Sequence, residues 1–234
     1  FTTGPLSMAG YVGLPAPGCE IKLVPVGGKL EARFRGPHIM NGYWRSPQQT
    51  AEAFDEEGFY RSGDALRFAD SRQPQLGLMF DGRIAEDFKL TTGVFVSVGP
   101  LRARTILQGA PYVQDVVVTG PDRPCIGLLL FPHLPACREL AGLGPNASVE
   151  LVLTAEPVRR RFENLLQALN SDATGLATHV AWIYPVTEVP SLDAGEITDK
   201  GSLNQSAVLS RRAKLIDKLY EAPSQHCVVA KPWP

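Results

Sequence analysis

An α+β fold is predicted for this chain, and two observations predict it. Roughly the first 80 residues hold short period-two alternations cut by glycine and proline, the pattern of a β-rich piece. Beyond Gly82, apolar runs of strand length interleave with amphipathic helical stretches, the pattern of a compact mixed domain.

Taken in order, Glu20 to Arg35 alternates and turns: Ile21, Leu23 and Pro25 against Glu20, Lys22 and Val24, then Leu30, Ala32 and Phe34 against Lys29, Glu31, Arg33 and Arg35. Gly27-Gly28 separates the two runs, so the segment reads as a β-hairpin. A polar loop with Asn41-Gly42 and Pro47 follows, then a short helix near Gln48 to Phe54 and an acidic turn at Asp55 to Gly58. Strands are expected at Phe59 to Phe68 and Gly77 to Asp81, then at Phe95 to Val98, Val113 to Val118, Cys125 to Phe131 and Val180 to Tyr184. Helices fit Gly99 to Leu107, Glu156 to Asn170 and Gln205 to Glu221. In the second of these Val158, Phe162, Leu165, Leu166 and Leu169 share one face, which leaves Arg159 to Arg161 as a solvated run. Pro223 to Pro234, proline-rich and without periodicity, reads as a flexible tail.

Charge and composition narrow the function classes. With 23 Lys plus Arg against 24 Asp plus Glu, 44% hydrophobic residues and a formal net charge of -1, the chain has the balance of a soluble globular protein. It lacks the basic footprint of a nucleic-acid binder. No apolar run reaches the roughly 18 residues that span a bilayer, and no signal-peptide layout opens the chain, so a cytoplasmic protein with small-molecule partners is expected. Cys19, Cys125, Cys137 and Cys227 are scattered without C-x-x-C spacing or a nearby His, which indicates neither a zinc site nor a disulfide framework. The start at Phe1 rather than Met, in a stretch to Met8 without periodicity, reads as a processed or truncated polypeptide.

Three clusters could carry chemistry. In Tyr60-Arg61-Ser62-Gly63-Asp64 a carboxylate follows a glycine at a strand end, where it can accept two vicinal hydroxyls; an ordinary turn accounts for the same residues. In Asp81-Gly82-Arg83 the guanidinium offers a fixed fork of donors to ribose or phosphate oxygens, and a surface charge cluster is the plain alternative. Asp193 to Gly201 is a polar, glycine-bounded loop whose Lys200 could enter a site as a point charge, although most loop lysines only solvate a surface.

These clusters, in this order, resemble the later signature motifs of the adenylate-forming superfamily of acyl-CoA synthetases, luciferases and peptide-synthetase adenylation domains. Gly13-Leu14-Pro15 with Pro17-Gly18, Gly36-Pro37, Asn41-Gly42-Tyr43-Trp44 with Pro47 and Thr50, Phe59 to Asp64, and Gly82-Arg83 each match an idiom of that family. The wording Ala85-Glu86-Asp87-Phe88-Lys89-Leu90 with Gly93, and Gly195 to Gly201 with Asn204-Gln205, is most similar to the feruloyl-CoA synthetase branch.

The resemblance implies a division into three segments: 1–83 as the β-rich end of a large nucleotide-binding domain, 84–222 as a mobile α+β lid, and 223–234 as the tail. It places the ribose-binding carboxylate at Asp64, a second nucleotide contact at Arg83, the hinge at Ile84, Ala85 and Glu86, the thiol-tunnel glycine at Gly93 and the catalytic lysine at Lys200. Two departures stand out: Ala85 occupies the charged hinge position, with Glu86 or Asp87 as substitutes, and Lys200-Gly201 reverses the usual order. The implied enzyme is an AMP-forming acid–thiol ligase using ATP with Mg2+, a carboxylic acid such as ferulate or another hydroxycinnamate, and coenzyme A. The upstream phosphate loop and a complete magnesium ligand set have no counterpart in these residues, so the chain is expected to be inactive alone. A carrier-protein thiol as acceptor, and a non-catalytic binding module, are the rival readings.

Overall fold

The computed structural model describes residues 10–223 and 226–233, so the stretch read above as lacking periodicity at Phe1 to Met8 lies outside the described residues, as do Ser224, Gln225 and Pro234. The chain divides into two compact units, Phe1–Ala85 and Glu86–Pro234. Among the described residues no helix is long and apolar enough to cross a membrane.

The first unit is built on an antiparallel sheet of five strands, β1 (Tyr11–Gly13), β2 (Glu20–Val26), β3 (Lys29–Arg35), β4 (Tyr60–Phe68) and β5 (Leu78–Arg83), in the order β1-β5-β4-β3-β2. One short helix, α1 (Pro47–Ala53), lies between β3 and β4 in sequence. The β2–β3 hairpin is in register from Glu20↔Arg35 to Val26↔Lys29, and Gly27 and Gly28 take the positive φ values (58° and 84°) that its two-residue turn demands. Ala32, Leu66 and Leu78 form a small core with Ile21, Leu23 and Phe34 against it. The period-two pattern misleads at one place: Lys29 and Glu31, on the polar side of the alternation, are also buried. The Lys29 ammonium donates to the Asp81 carbonyl at 2.5 Å, and Glu31 accepts from Arg33 at 2.8 Å, so partners within the unit replace water.

The second unit opens on a two-stranded ribbon, β6 (Phe88–Lys89) with β7 (Phe95–Val96), followed by α2 (Val98–Gly109). Its main sheet contains β8 (Val113–Thr119), β9 (Ile126–Pro132), β10 (Val180–Pro185) and β11 (Val228–Val229), in the order β11-β10-β9-β8. The helices α3 (Leu134–Leu140), α4 (Val149–Thr154), α5 (Glu156–Ser171), α6 (Gln205–Arg211) and α7 (Ala213–Glu221) complete it. Alternate residues of the central strands feed two different cores. Val116, Val118, Leu128, Leu130 and Ile183 join α2 and α5, whereas Val117, Leu129, Phe131 and Trp182 join α6 and α7. A strand covered on both faces must be apolar at every position, which is why β9 reads as an unbroken hydrophobic run and not as an alternation. The five residues of α5 that share a face in the sequence are all buried, each worth about 1.5–3 kcal/mol when fully transferred from water.

β1, β6, α3 and α4 have no counterpart in the sequence reading, and four further features depart from it. Val98 begins α2 instead of ending a strand, because its backbone N–H is taken by the Asp87 carboxylate at 2.8 Å, which satisfies a donor left open at the helix start. The helix expected from Gln205 to Glu221 breaks at Arg212 into α6 and α7. Arg161 is more than a solvated charge: it donates to the Gln108 carbonyl at 2.7 Å and lies over the Tyr112 ring. Finally, the segment read as a flexible tail contains β11, which pairs antiparallel with β10 through Trp182↔Val229 and Ile183↔Val228. Cys227 and Val228 are buried there, and Trp233 stacks at 5.3 Å on His179. A two-residue strand bounded by proline has too few positions to show a period; what holds it is the open edge of β10.

Gly127 is required by packing. A Cβ on it would lie 2.0 Å from the Trp182 ring. Gly127→Ala therefore overfills this core, and urea unfolding of the variant is expected to show a loss of about 1–3 kcal/mol; an unchanged midpoint would mean that the indole can move aside freely.

Candidate functional site

In the first unit Asp64 and Arg83 are cross-strand partners on β4 and β5, with the Arg83 Nε 3.4 Å from an Asp64 carboxylate oxygen. The pair is open to solvent, the two side chains being 38% and 65% exposed, so it contributes little to stability and can rearrange around a ligand. Together they present two acceptor oxygens beside a fork of donors, the complement of a vicinal diol with neighbouring anionic oxygens.

The backbone beneath Asp64 is irregular for a specific reason. Glu31 pairs with Ala65 and Arg33 with Arg61, so Ala32 alone on β3 faces Ser62, Gly63 and Asp64 on β4. This bulge turns on Gly63, whose φ of 70° suits glycine, and it re-aims the residue that follows. Buried groups hold it. Ser62 Oγ donates to the Ala32 carbonyl at 2.5 Å and accepts the Asp64 N–H at 3.1 Å, while Glu31 accepts the Gly63 N–H at 3.3 Å. Glu31 is fixed in turn by Arg33, Arg33 by Asp55 at 3.1 Å, and Asp55 by Lys22 at 2.7 Å. The hydrogen bond from Lys22, with those from the Phe59 N–H and Arg33, keeps Asp55 well below the usual carboxylate range against the opposing effect of burial.

Ile84, Ala85 and Glu86 form one 3-10 turn, Ile84–Glu86, at the division between the units. Asp87 is the residue that caps α2. Gly93 sits in the turn between β6 and β7 with φ at 79°, where the Gly93 N–H donates to the Leu90 carbonyl at 2.9 Å. A Cβ built there meets no atom within 4 Å, so within this unit the backbone conformation, and not a close neighbour, is what calls for glycine.

Lys200 is exposed at the tip of a small hairpin closed by the Ile197↔Leu203 bridge and by the Thr198 N–H donating to the Ser202 carbonyl at 2.8 Å. At the base of that hairpin lies Glu196, which has no exposed surface. Its carboxylate accepts from Arg211 at 2.5 Å, from Arg212 at 2.7 and 3.1 Å, and from the Ser191 N–H at 2.8 Å. Both arginines lie at the junction of α6 and α7, where Arg211 ends one helix and Arg212 links it to the next, and both reach the one carboxylate. At the other end Gln205 clasps β8, accepting the Val118 N–H at 3.2 Å and donating to the Val118 carbonyl at 2.6 Å. Glu31, Asp55, Arg211 and Arg212 had no site role in the sequence reading, and Glu196 and Gln205 entered it only as part of the family wording; the adjacent Arg211-Arg212 inside an amphipathic run is the signal that could have found the arginines. Among the described residues no three His, Cys, Asp or Glu side chains converge to hold a metal ion.

The profile described as AMP-binding enzyme C-terminal domain matches residues 91–224, more than half of the chain and both Gly93 and Lys200. The chain belongs to this family. A chloroplastic long-chain-fatty-acid–[acyl-carrier-protein] ligase of Arabidopsis thaliana is 25% identical over 92% of this chain and 29% of its own length. The human long-chain-fatty-acid–CoA ligase 1 is 32% identical over 91% of this chain and 31% of its own. Among solved structures, the A domain of a carboxylic acid reductase from Segniliparus rugosus, in complex with AMP and a co-purified carboxylic acid, shares the fold. Its TM-score is 0.65 at 22% identity, covering 88% of this chain and 32% of that one. The chain thus spans about a third of the length of these relatives.

The buried carboxylate of this C-terminal domain gives a pH signature. Burial raises the pKa of Glu196, but the hydrogen bonds and charges of Arg212, the Ser191 N–H and Arg211 outweigh it and bring the group down from 4.5 to about 2. A carboxyl lowered on folding stabilises fully above its unfolded value and loses that contribution as pH falls through the folded one. Stability of the second unit should therefore decline between pH 4.5 and about 2. Glu196→Gln should flatten that part of the profile in acid-titrated thermal melts; parallel curves for the two proteins would show that other carboxylates set it.

Proposed function

We propose that this chain is the C-terminal part of an AMP-forming acid–thiol ligase. A carboxylate oxygen attacks the α-phosphorus of ATP, pyrophosphate leaves, and the acyl carbon of the resulting adenylate then passes to a thiol with loss of AMP. The observation that carries this reading is the Asp64–Arg83 pair, presented on a braced bulge and only weakly bound to itself. Asp64 accepts the ribose hydroxyls and Arg83 donates to neighbouring oxygens. Lys200, on a hairpin tied at both ends, supplies positive charge where negative charge grows between carboxylate and α-phosphate. Magnesium travels with the ATP phosphates. Rotation about Ile84, Ala85 and Glu86 exchanges the Lys200 face for the Gly93 face, where the thiol of coenzyme A enters. The first unit's small core, beside exposed Val12, Leu14, Trp44, Phe68 and Phe80, supports its membership of a larger domain.

The acid is a hydroxycinnamate such as ferulate, on the wording of Ala85 to Leu90 and Gly195 to Gly201. The relatives named for long-chain fatty acids supply the competing acid, and the plant relative named for an acyl-carrier-protein product supplies a competing acceptor, the carrier thiol. Pyrophosphate release by the complete enzyme over ferulate and palmitate, followed by capture with free coenzyme A or a holo carrier, decides both.

Losing charge-assisted hydrogen bonds at Asp64 costs about 1.5–3 kcal/mol, so Asp64→Ala in the complete enzyme should raise the ATP requirement by roughly one to two orders of magnitude. Unchanged ATP dependence removes Asp64 from the site. Lys200→Ala should slow acyl-adenylate formation by about 10²–10³ while sparing thioester formation from synthetic adenylate, and Gly93→Leu should do the reverse. Equal loss of both steps in both variants would sink the two-face assignment.

A further inference from the structure

In the Lys200 hairpin Ile197 and Leu203 pack into the core shared with α6 and α7, while Asp199 to Ser202 at the tip are exposed, so the tip is fixed from the base of the hairpin. Its near end is Glu196, four residues before the lysine in sequence and buried completely. The main chain there is pinned on both sides: the Glu196 N–H donates to the Ser191 carbonyl at 3.0 Å, and the Asn204 N–H donates to the Glu196 carbonyl at 2.9 Å. The side chain is pinned more firmly. One carboxylate oxygen takes the Arg212 Nε, and the other takes Arg211, the second Arg212 nitrogen and the Ser191 N–H. Arg212 is itself buried, lies over the Phe131 ring on β9 and reaches the Val189 carbonyl at 3.4 Å. Glu188 shares both arginines, at 3.3 Å from Arg211 and 3.6 Å from Arg212.

We propose that Glu196, clamped by Arg211 and Arg212, is a positioning residue for Lys200: it fixes the root of the hairpin to the α6–α7 junction and so sets where the ammonium stands during adenylation. The proposal rests on the reading of Lys200 given above. Its physical basis is directional. An apolar plug of the same volume would hold the hairpin root at least as strongly, because burying an ion pair brings little net stability. Four hydrogen bonds to one carboxylate fix orientation as well as depth, and a catalytic group must be held to about half an ångström.

The test is a cycle in the complete enzyme with Glu196→Gln, Lys200→Ala and the double variant, following pyrophosphate release and, separately, capture of synthetic acyl-adenylate by thiol. Glu196→Gln keeps the shape and removes the charge that gathers the arginines. Displacing a catalytic group by about an ångström costs up to roughly 10²-fold, so adenylation kcat should fall by about 10–10², with the thiol step unchanged. In the Lys200→Ala background the same substitution should cost nothing further. If the losses multiply, or if Glu196→Gln slows both steps alike, Glu196 is only structural and the proposal is overturned. Should Glu196→Gln fail to fold, Arg211→Gln carries the cycle, since Arg211 is the more exposed partner and the Arg212 bonds remain. A smaller loss confined to adenylation and absent without Lys200 then supports the proposal, and an unchanged rate overturns it. If Lys200→Ala itself leaves adenylation intact, the reading of Lys200 fails first, whatever Glu196 does.

Discussion

A carboxylate removed from water must be met by several donors, and that demand shapes both units of this chain. Glu31 and Glu196 are two such buried carboxylates among the described residues, and each lies under a segment that presents a charged group to solvent. Glu31 holds the bulge that carries Asp64, through the Gly63 N–H. Glu196 holds the hairpin that carries Lys200, through its own main chain and two guanidiniums. In each case irregular backbone is stabilised by a charge that cannot leave without stranding its partners.

The outward groups are arranged in the opposite way. Asp64 and Arg83 approach to 3.4 Å at the surface, and Lys200 stands exposed at a turn. Exposed pairs are screened and contribute at most about 1 kcal/mol, so they exchange partners easily. Rigid buried charge beneath and loosely held exposed charge above is the arrangement expected where the exposed groups act on a ligand while their supports stay fixed.

Much of the fold was legible because most of its elements repeat a simple period. The β2–β3 hairpin, β4, β5, β8, β9, β10 and the buried face of α5 all follow from alternation, glycine turns or helical spacing. Elements set by one distant contact were not. Val98 starts a helix where Asp87 reaches its N–H, the 205–221 helix breaks at the arginine that holds Glu196, and β11 pairs with the edge of β10. The site shows the same split. Asp64, Arg83, Gly93 and Lys200 carry recognisable local wording, whereas Glu31 looks like an ordinary outward residue of an alternating strand and Glu196 like part of a polar loop. Only tertiary structure brings Gly63 over the first and two arginines around the second.

The far end of the Lys200 hairpin is tied to the sheet. β8 ends the order β11-β10-β9-β8, so its outer edge leaves backbone groups in need of partners. At Val118 the amide side chain of Gln205 supplies both, donating and accepting as a neighbouring strand would. Gln205 is also the first residue of α6, and Asn204 beside it caps that helix by accepting the Ala207 N–H at 3.2 Å. Residues 197–204 are thereby strung between two fixed points, Glu196 on the arginine clamp and Gln205 on the sheet edge. A short segment held at both ends has lost most of its conformational entropy, so the lysine at its tip is placed at little further cost. The exposed tip thus inherits its order from buried groups on either side of it.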